Sequence, residues 1–325
     1  MNILVCGGAG YIGAHMCMQL AASGHGVFVF DNLSTGHAEA VRWGELIQGD
    51  LTVTGDLDRA FKRQNYSAVM HFSAKSLVGE SMLHPELYYH NNVTGTLNLL
   101  DAMVRHDVKA LIFSSSASVY GTPAYSPIDE QHPKAPINPY GRSKLMVETM
   151  LADFDAAFGV RSVSLRYFNA AGADPGGVIG EDHDTETHLI PNVLKSVLQP
   201  EAHSLRIFGN DYDTPDGTCI RDYIHVVDLC GAHMKALDYL LQGGKTEAFN
   251  LGNGKGFSVL DVINAAQKVT GQDINYSIQA RRLGDPAVLV ASSTKAKSTL
   301  GWTPKYTDLN KIIETAWRWH RTQHA

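Results

Sequence analysis

Residues 2–13, NILVCGGAGYIG, constrain the fold more than any other stretch of the chain. A short apolar run leads directly into a cluster of glycines, and the cluster leads into a helical pattern. The spacing satisfies GxGxxG through Gly8, Gly10 and Gly13, and GxxGxxG through Gly7, Gly10 and Gly13. Glycines permit a tight turn and a close backbone approach, so an anionic group can sit among the free N–H groups at a helix start. Alone the pattern is weak; it gains meaning if an acidic residue ends the second strand about 20 residues on. Asp31 closes VFVFD, 18 residues past Gly13. Its carboxylate can accept hydrogen bonds from ribose hydroxyls and repels a 2′-phosphate. That favours NAD over NADP, and no arginine follows at once to reverse the choice.

Strand and helix patterns alternate through the first half: NILVC, a helix near 11–23, VFVF, a helix near 56–64, AVMHF, a helix near 85–106, KALIF, and RSVSLR near 161–166. Strands that are almost wholly apolar and separated by helices predict a parallel sheet covered on both faces. The fold class is α/β, a Rossmann-type doubly wound parallel sheet. After Asn169 the texture changes, with Gly, Pro and Asp dense over 172–184 and again over 209–217. Loop-rich sequence beyond a regular α/β half predicts a second, smaller domain that shapes a binding site. At 325 residues the chain is long enough for two cores.

Composition narrows the partners. A formal net charge of -6 without a Lys/Arg block argues against nucleic acid, which needs a basic face. No apolar run approaches the roughly 18 residues of a membrane span, and the N-terminus lacks the pattern of a signal peptide, so the cytoplasm is the expected location. Cys6, Cys17, Cys219 and Cys230 form no CxxC pair and read as small buried hydrophobes. His15, His25 and the remaining histidines read as solvated or capping residues.

The reactive end lies further on. LIFSSSASVYG (111–121) is an apolar strand that stops in three serines, where ligands of open α/β sheets collect. Tyr140 and Lys144 then follow Pro139, which can start a helix, and their i, i+4 spacing places them on one face. A free tyrosine has a pKa near 10, too high for a base at neutral pH. The Lys144 ammonium and the positive nicotinamide of NAD are expected to lower it. A serine hydroxyl between phenol and substrate oxygen completes a proton path.

These motifs resemble the extended short-chain dehydrogenase/reductase family, and within it the nucleotide-sugar 4-epimerases. The resemblance runs through nearly the whole chain: GGAGYIG, DNLSTG, GDLT, HFSAKSLVGES, YYHNNVTGT, FSSSASVYG, NPYGRSKLMVE, LRYFNAAGA, IFGNDYDTPDGTCIRDYIHV, FNLGNG and RRLGDPA. It implies interconversion of UDP-galactose and UDP-glucose with tightly bound NAD, with N-acetylated UDP-sugars as the alternative. It implies an NAD-binding domain over 1–168, joined again by about 222–250, and a UDP-sugar domain over 169–221 and 251–325. Tyr140 would be the acid/base, Lys144 would orient it, and Ser116 would hydrogen-bond the sugar's 4-oxygen. The dinucleotide would be lined by Gly7, Gly10, Tyr11, Ile12, Gly13, Asp31, Asn32, Ser34, Thr35 and Gly36. Further along, Asp50, Leu51, Phe72, Ser73, Asn91, Ser114, Tyr167 and Phe168 would complete that lining. Asn169, His188, Leu189, Phe208, Arg221, Arg282 and Asp285 would hold the UDP group, the arginines supplying forks for the diphosphate. Leu289 resembles the family's size gate for the sugar: a tyrosine there restricts the pocket to plain hexoses, and leucine is intermediate. Cys6 stands where threonine is usual, and Lys75 is offset by one place from a family lysine and takes no role. The family also implies a homodimer through the helices near 85–106 and 141–156.

Two other functions fit the first half of the chain. A nucleotide-sugar 4,6-dehydratase needs carboxyl groups just after the first serine or threonine of a TDE-like triplet, but the triplet here is Ser116, Ala117, Ser118. A non-catalytic NAD sensor has no use for Tyr140 and Lys144. His183 and His188 in HDTETH raise the question of a metal. Their spacing matches no known pattern and no third ligand is evident, so no metal is expected.

Overall fold

The computed structural model describes residues 1–282 and 285–323. Leu283 and Gly284, within the RRLGDPA motif, lie outside the described residues. Seven parallel strands form the main sheet: Asn2–Cys6, Gly26–Asp31, Glu45–Gln48, Ala68–His71, Ala110–Ser116, Arg161–Tyr167 and Glu247–Leu251. Numbered along the chain, they lie in the order 3-2-1-4-5-6-7. The order reverses between the first and fourth strands, which opens a crevice at their carboxyl ends.

The first strand shows why the sheet is covered twice. Ile3 and Val5 point into one core with Met16 and Leu20 of helix Tyr11–Ala22 and Leu229 and Leu237 of helix Val226–Leu241. Leu4 and Cys6 point the other way, into a core with Phe30, Leu57, Leu99 and Leu111. Each fully buried side chain of this size contributes about 1.5–3 kcal/mol, so a strand apolar at every position is stable only between two helical layers. All four cysteines are free and buried, as expected.

Two local features differ from the sequence reading. The third strand, Glu45–Gln48, was not anticipated: it lies at the sheet edge and buries only Ile47, so no apolar run marks it. The helix expected near 85–106 is broken into Pro85–Tyr88, a π-helical turn over Tyr89–Thr94, and Gly95–Arg105. Such wide turns often accompany functional sites.

Most of the remaining chain builds a third core. Helices Leu189–Leu198, Val259–Thr270 and Leu309–Gln323 pack through Ile190, Leu194, Val262, Ile263, Ile312 and Ile313. Strand Ile220–His225 pairs with Asn169–Ala171, Gly256–Ser258 and Val288–Leu289. Leu205–Phe208 pairs with Tyr276–Gln279.

Candidate active site

The glycine loop sits in the crevice at the sheet's reversal. Gly7 has φ +80, and a Cβ there would meet the Ser73 nitrogen at 2.6 Å, so the loop lies directly against the chain leaving the fourth strand. At Gly13 a Cβ would meet the Gly7 oxygen at 2.0 Å, which makes glycine a packing necessity. Gly10 is different, because an added Cβ would meet only the Gly7 oxygen, at 3.6 Å. Gly10 also caps helix Tyr11–Ala22 without any side-chain hydrogen bond. Bare helix N–H groups beside a glycine that the protein's own packing does not require form a cradle for a pyrophosphate.

Asp31 ends the second strand beside this cradle, where its carboxylate accepts N–H bonds from Ala9 (3.0 Å) and Leu33 (2.9 Å). Burial pushes its carboxyl above the usual range despite those bonds. Asn32 donates to Asp50 at 2.8 Å, tying the ends of strands two and three. Burial alone would raise the Asp50 carboxyl, but hydrogen bonds from Thr52 and Asn32 outweigh it and hold the group low. The Ser34–Thr35–Gly36 turn follows, and its Gly36 lies against the glycine loop, where a Cβ would strike Ala9. Leu51 is buried at the third strand's exit. The residues present therefore fit an adenine dinucleotide with free ribose hydroxyls.

The strand Ala110–Ser116 carries all three serines. Helix Pro139–Phe158 begins at Asn138, whose side chain caps Gly141 N–H at 2.8 Å, with Pro139 in the first turn. A Cβ at Gly141 would strike the Ser118 oxygen at 2.4 Å, so glycine lets the helix start lie against the loop beyond the serines. That contact sets Tyr140, at the start of the helix, beside the end of the serine strand, where the Ser116 hydroxyl favours the phenolate. Lys144 is 3% exposed, donates to the Ser114 carbonyl at 2.7 Å, and places Nζ 5.8 Å from the Tyr140 ring centre. Tyr167 and Ser114 share a short hydrogen bond beneath them.

Electrostatics here depart from the sequence expectation. Burial holds the Tyr140 phenol above its ordinary range, opposed by the Ser116 hydrogen bond, so Lys144 does not draw it down in the protein alone. Burial likewise pushes Lys144 down to about 7, with Glu148 opposing. The Lys144 ammonium can therefore be lost near neutrality.

Two supports were missed by the sequence reading. Asn92, buried in the π turn, accepts from Lys75 N–H, donates to Lys75 C=O and donates to Ser143 Oγ, joining the fourth-strand loop to the helix of Tyr140. Its neighbour Asn91 donates to it at 2.9 Å. Glu148 accepts from Ser115 Oγ at 2.7 Å and pairs bidentately with Arg166 at 2.8 and 2.6 Å. The doubled asparagine in YYHNNVT and the charges in KLMVE and LRYF were the only signals.

A second cleft, about 480 Å³, opens beyond Asn169. It gathers Asn169, His188, Leu189, Phe208, Arg221, Arg282 and Asp285, every residue expected to hold UDP. Arg221 pairs with Asp285, and Arg282 lies over the Phe208 ring at 4.0 Å. Leu289 does not line this cleft. It pairs in register with Arg221 and packs with Phe168 and Leu145 against Val119, Tyr120 and Ile128.

At the cleft's edge His183 and His188 meet Glu181 and Glu186, the partners not anticipated from HDTETH. Burial would lower the His188 imidazole, but Glu181 and Glu186 outweigh it and lift the group to about 10. The reading of the other histidines as solvated or capping also needs correction. His15, His71 and His233 are buried, and burial pushes them down to about 4, 3 and 4. His225 does cap helix Val226–Leu241, accepting Val227 N–H at 3.1 Å.

A doubly wound sheet with this cradle, a Tyr–Ser–Lys group whose serine and lysine are buried, and an arginine-lined annex defines a dinucleotide-dependent enzyme class acting on a larger anionic substrate. The family model described as "NAD dependent epimerase/dehydratase family" matches residues 3–252, and the chain belongs to that family. It is 51% identical to UDP-glucose 4-epimerase of Rhizobium meliloti (strain 1021), over 98% of this chain and 97% of that one. The structure of UDP-glucose 4-epimerase from Brucella ovis in complex with NAD superposes with TM-score 0.95 at 47% identity, covering 97% of both chains. That of the Bifidobacterium longum enzyme with NAD+ and UDP gives TM-score 0.93 at 39% identity, covering 99% of this chain and 98% of that one.

Proposed function

We propose that the chain is a UDP-glucose 4-epimerase, interconverting UDP-galactose and UDP-glucose by transient oxidation at C4 with tightly held NAD. The observation that carries this reading is buried Lys144, fixed to the Ser114 carbonyl on the serine-ended strand with its Nζ 5.8 Å from the Tyr140 ring centre, in a chain that also holds the glycine cradle and the arginine-lined cleft. NAD would lie along Gly7–Gly13, Asp31 and Phe72 and would supply a reversible hydride acceptor. Tyr140 takes the proton of the sugar's 4-hydroxyl through or beside Ser116. Because burial disfavours its phenolate, Tyr140 ionises only with positive charge close by, which Lys144 supplies when protonated. Lys144 stays in place through its bond to the Ser114 carbonyl. Arg221, Arg282 and Asn169 hold the nucleotide while the 4-keto hexose turns its other face, which requires loose contacts around the sugar. Ser116, Ala117 and Ser118 offer no carboxyl to expel a hydroxyl, so the sequence ends at epimerisation rather than dehydration.

The test is incubation of purified protein with UDP-galactose and no added NAD. UDP-glucose should form, and Tyr140→Phe should stop turnover while keeping bound nucleotide; near-normal rates in that variant would refute the assignment. Leu289 supports a second substrate class, since it stands at the position that resembles the family's size gate, where leucine is smaller than tyrosine, and packs there with Phe168 against Tyr120. UDP-N-acetylgalactosamine is therefore the second substrate to assay.

The proposal extends to a homodimer, supported by exposed Met82, Leu83, Leu87, Leu97 and Met146 on neighbouring helices. Light scattering at micromolar concentration should give twice the chain mass. It also keeps a cytoplasmic location, checked by fractionation, and the two-part division, in which strand Glu247–Leu251 returns to the main sheet. Limited proteolysis between 169 and 184 would test that division.

A further inference from the structure

The segment GEDHDTETHL folds so that one oxygen or nitrogen from each of Glu181, His183, Glu186 and His188 lies within 4.8 Å of all the others. His188 Nδ1 is 2.9 Å from Glu181 Oε1 and 2.9 Å from Glu186 Oε1. His183 Nδ1 is 3.5 Å from Glu181 Oε1 and 3.4 Å from Glu186 Oε2. Zinc binds histidine nitrogen and carboxylate oxygen at about 2.0–2.2 Å, and a tetrahedron of that radius has edges of roughly 3.3 Å. The observed separations bracket that edge.

We propose that Glu181, His183, Glu186 and His188 form a tetrahedral site for one divalent transition-metal ion of the zinc class, which pins the 181–188 loop at the edge of the nucleotide cleft. Three further observations support it. Both carboxylate side chains are buried, 6% and 3% exposed, while the imidazoles reach toward the surface at 31% and 44%. Among the described residues both carboxylates pair with His183 and His188 and with no lysine or arginine, so their counter-charge comes from imidazoles, and a divalent ion held by the neutral imidazoles would supply it instead. The donors are also held from behind: Glu186 Oε1 accepts N–H bonds from Thr187 (2.8 Å) and His188 (2.7 Å), and Trp319 Nε1–H holds the Glu181 carbonyl at 3.3 Å. Such outer contacts orient ligands at metal centres. Two nitrogens and two oxygens suit zinc or cobalt better than magnesium or calcium, which take more oxygens.

The ion's role is structural. All four ligands come from one loop, and His188 and Glu186 also line the cleft, so the ion would fix the wall beside Leu189 without meeting the reacting carbon. The test starts from chelator-treated protein with its NAD retained. Cobalt(II) should bind one per chain with the intense visible bands of tetrahedral coordination, zinc should displace it, and zinc should raise the melting temperature. His183→Ala and Glu181→Gln should each weaken zinc binding by about 100-fold or more, beyond the loss typical of outer contacts. Octahedral cobalt spectra in the wild-type protein would overturn the proposal whatever the variants do. So would zinc binding that survives both substitutions, since surface histidines would then be the ligands.

Discussion

The buried pair of Glu148 and Arg166 sits directly behind the three serines, and its removal gives a sharp test of how the site is held. The side chains are 7% and 4% exposed and make two parallel hydrogen bonds at 2.8 and 2.6 Å. Arg166 also donates to Tyr120 Oη at 2.9 Å, and Tyr120 donates onward to Asn250 at 2.7 Å. Glu148→Leu strands the guanidinium in a dry interior and should cost about 3–5 kcal/mol. Unfolding entropy of about 2.1 cal/mol/K per residue amounts to roughly 0.7 kcal/mol/K for this chain length, so the melting temperature should fall by about 4–7 °C. Arg166→Met alone should cost a similar amount, because Glu148 then lacks its cation. The double variant replaces the pair by apolar groups and should recover most of the loss. What remains is the Ser115 hydroxyl without its acceptor, about 1 kcal/mol. Tyr120 keeps Asn250 as a partner. The assay is a double-mutant cycle by urea denaturation with NAD content held constant. Additivity of the two single losses to within about 0.5 kcal/mol would refute the reasoning, since it would mean the two charges are solvated independently.

Gly10→Ala should leave the melting temperature of the nucleotide-free protein nearly unchanged yet sharply reduce NAD retained through purification, whereas Gly13→Ala should destabilise the fold itself; extraction of bound nucleotide and thermal melts separate the two. Lys144 is depressed in the folded state, to about 7 against 10.5 when unfolded, so below pH 7 both states carry the charge and burial costs its full amount. As pH rises from 7 toward 10.5 the folded state has already shed the proton that the unfolded state still binds, and stability should climb by up to about 1.4 kcal/mol per pH unit. Lys144→Met should lose that slope in urea titrations at pH 7.5 to 9.5; an unchanged slope would show that another group carries it. Leu289→Tyr should lower the rate on UDP-N-acetylgalactosamine relative to UDP-galactose by about tenfold or more, read by competitive turnover of the two substrates.

How far the chain could be read without coordinates depended on whether a residue's neighbours were local. Gly7, Gly10 and Gly13 work within one turn, and Tyr140 and Lys144 within one helix face, so spacing alone exposed them. Even there, spacing could not separate Gly13, forced by the Gly7 oxygen, from Gly10, where a Cβ would make only an ordinary contact with that oxygen. The edge strand Glu45–Gln48 and the π turn left no periodic trace. That burial raises the Tyr140 phenol in the protein without NAD was not legible, because burial is a property of the whole fold, and a sequence shows the charge of Lys144 but not the water it excludes. The same limit hid the partners of His183 and His188. Both glutamates stood in plain view within the same eight residues, yet donor spacings of two, three and two fit no helix or hairpin ligand pattern. Only an irregular loop, held by Trp319 and by the N–H groups of Thr187 and His188, turns four alternating side chains toward one point. Motifs therefore reveal a site when regular structure sets the geometry, and they miss it when a loop does. The loop-rich segments after Asn169 are for that reason where this chain's remaining chemistry should be sought.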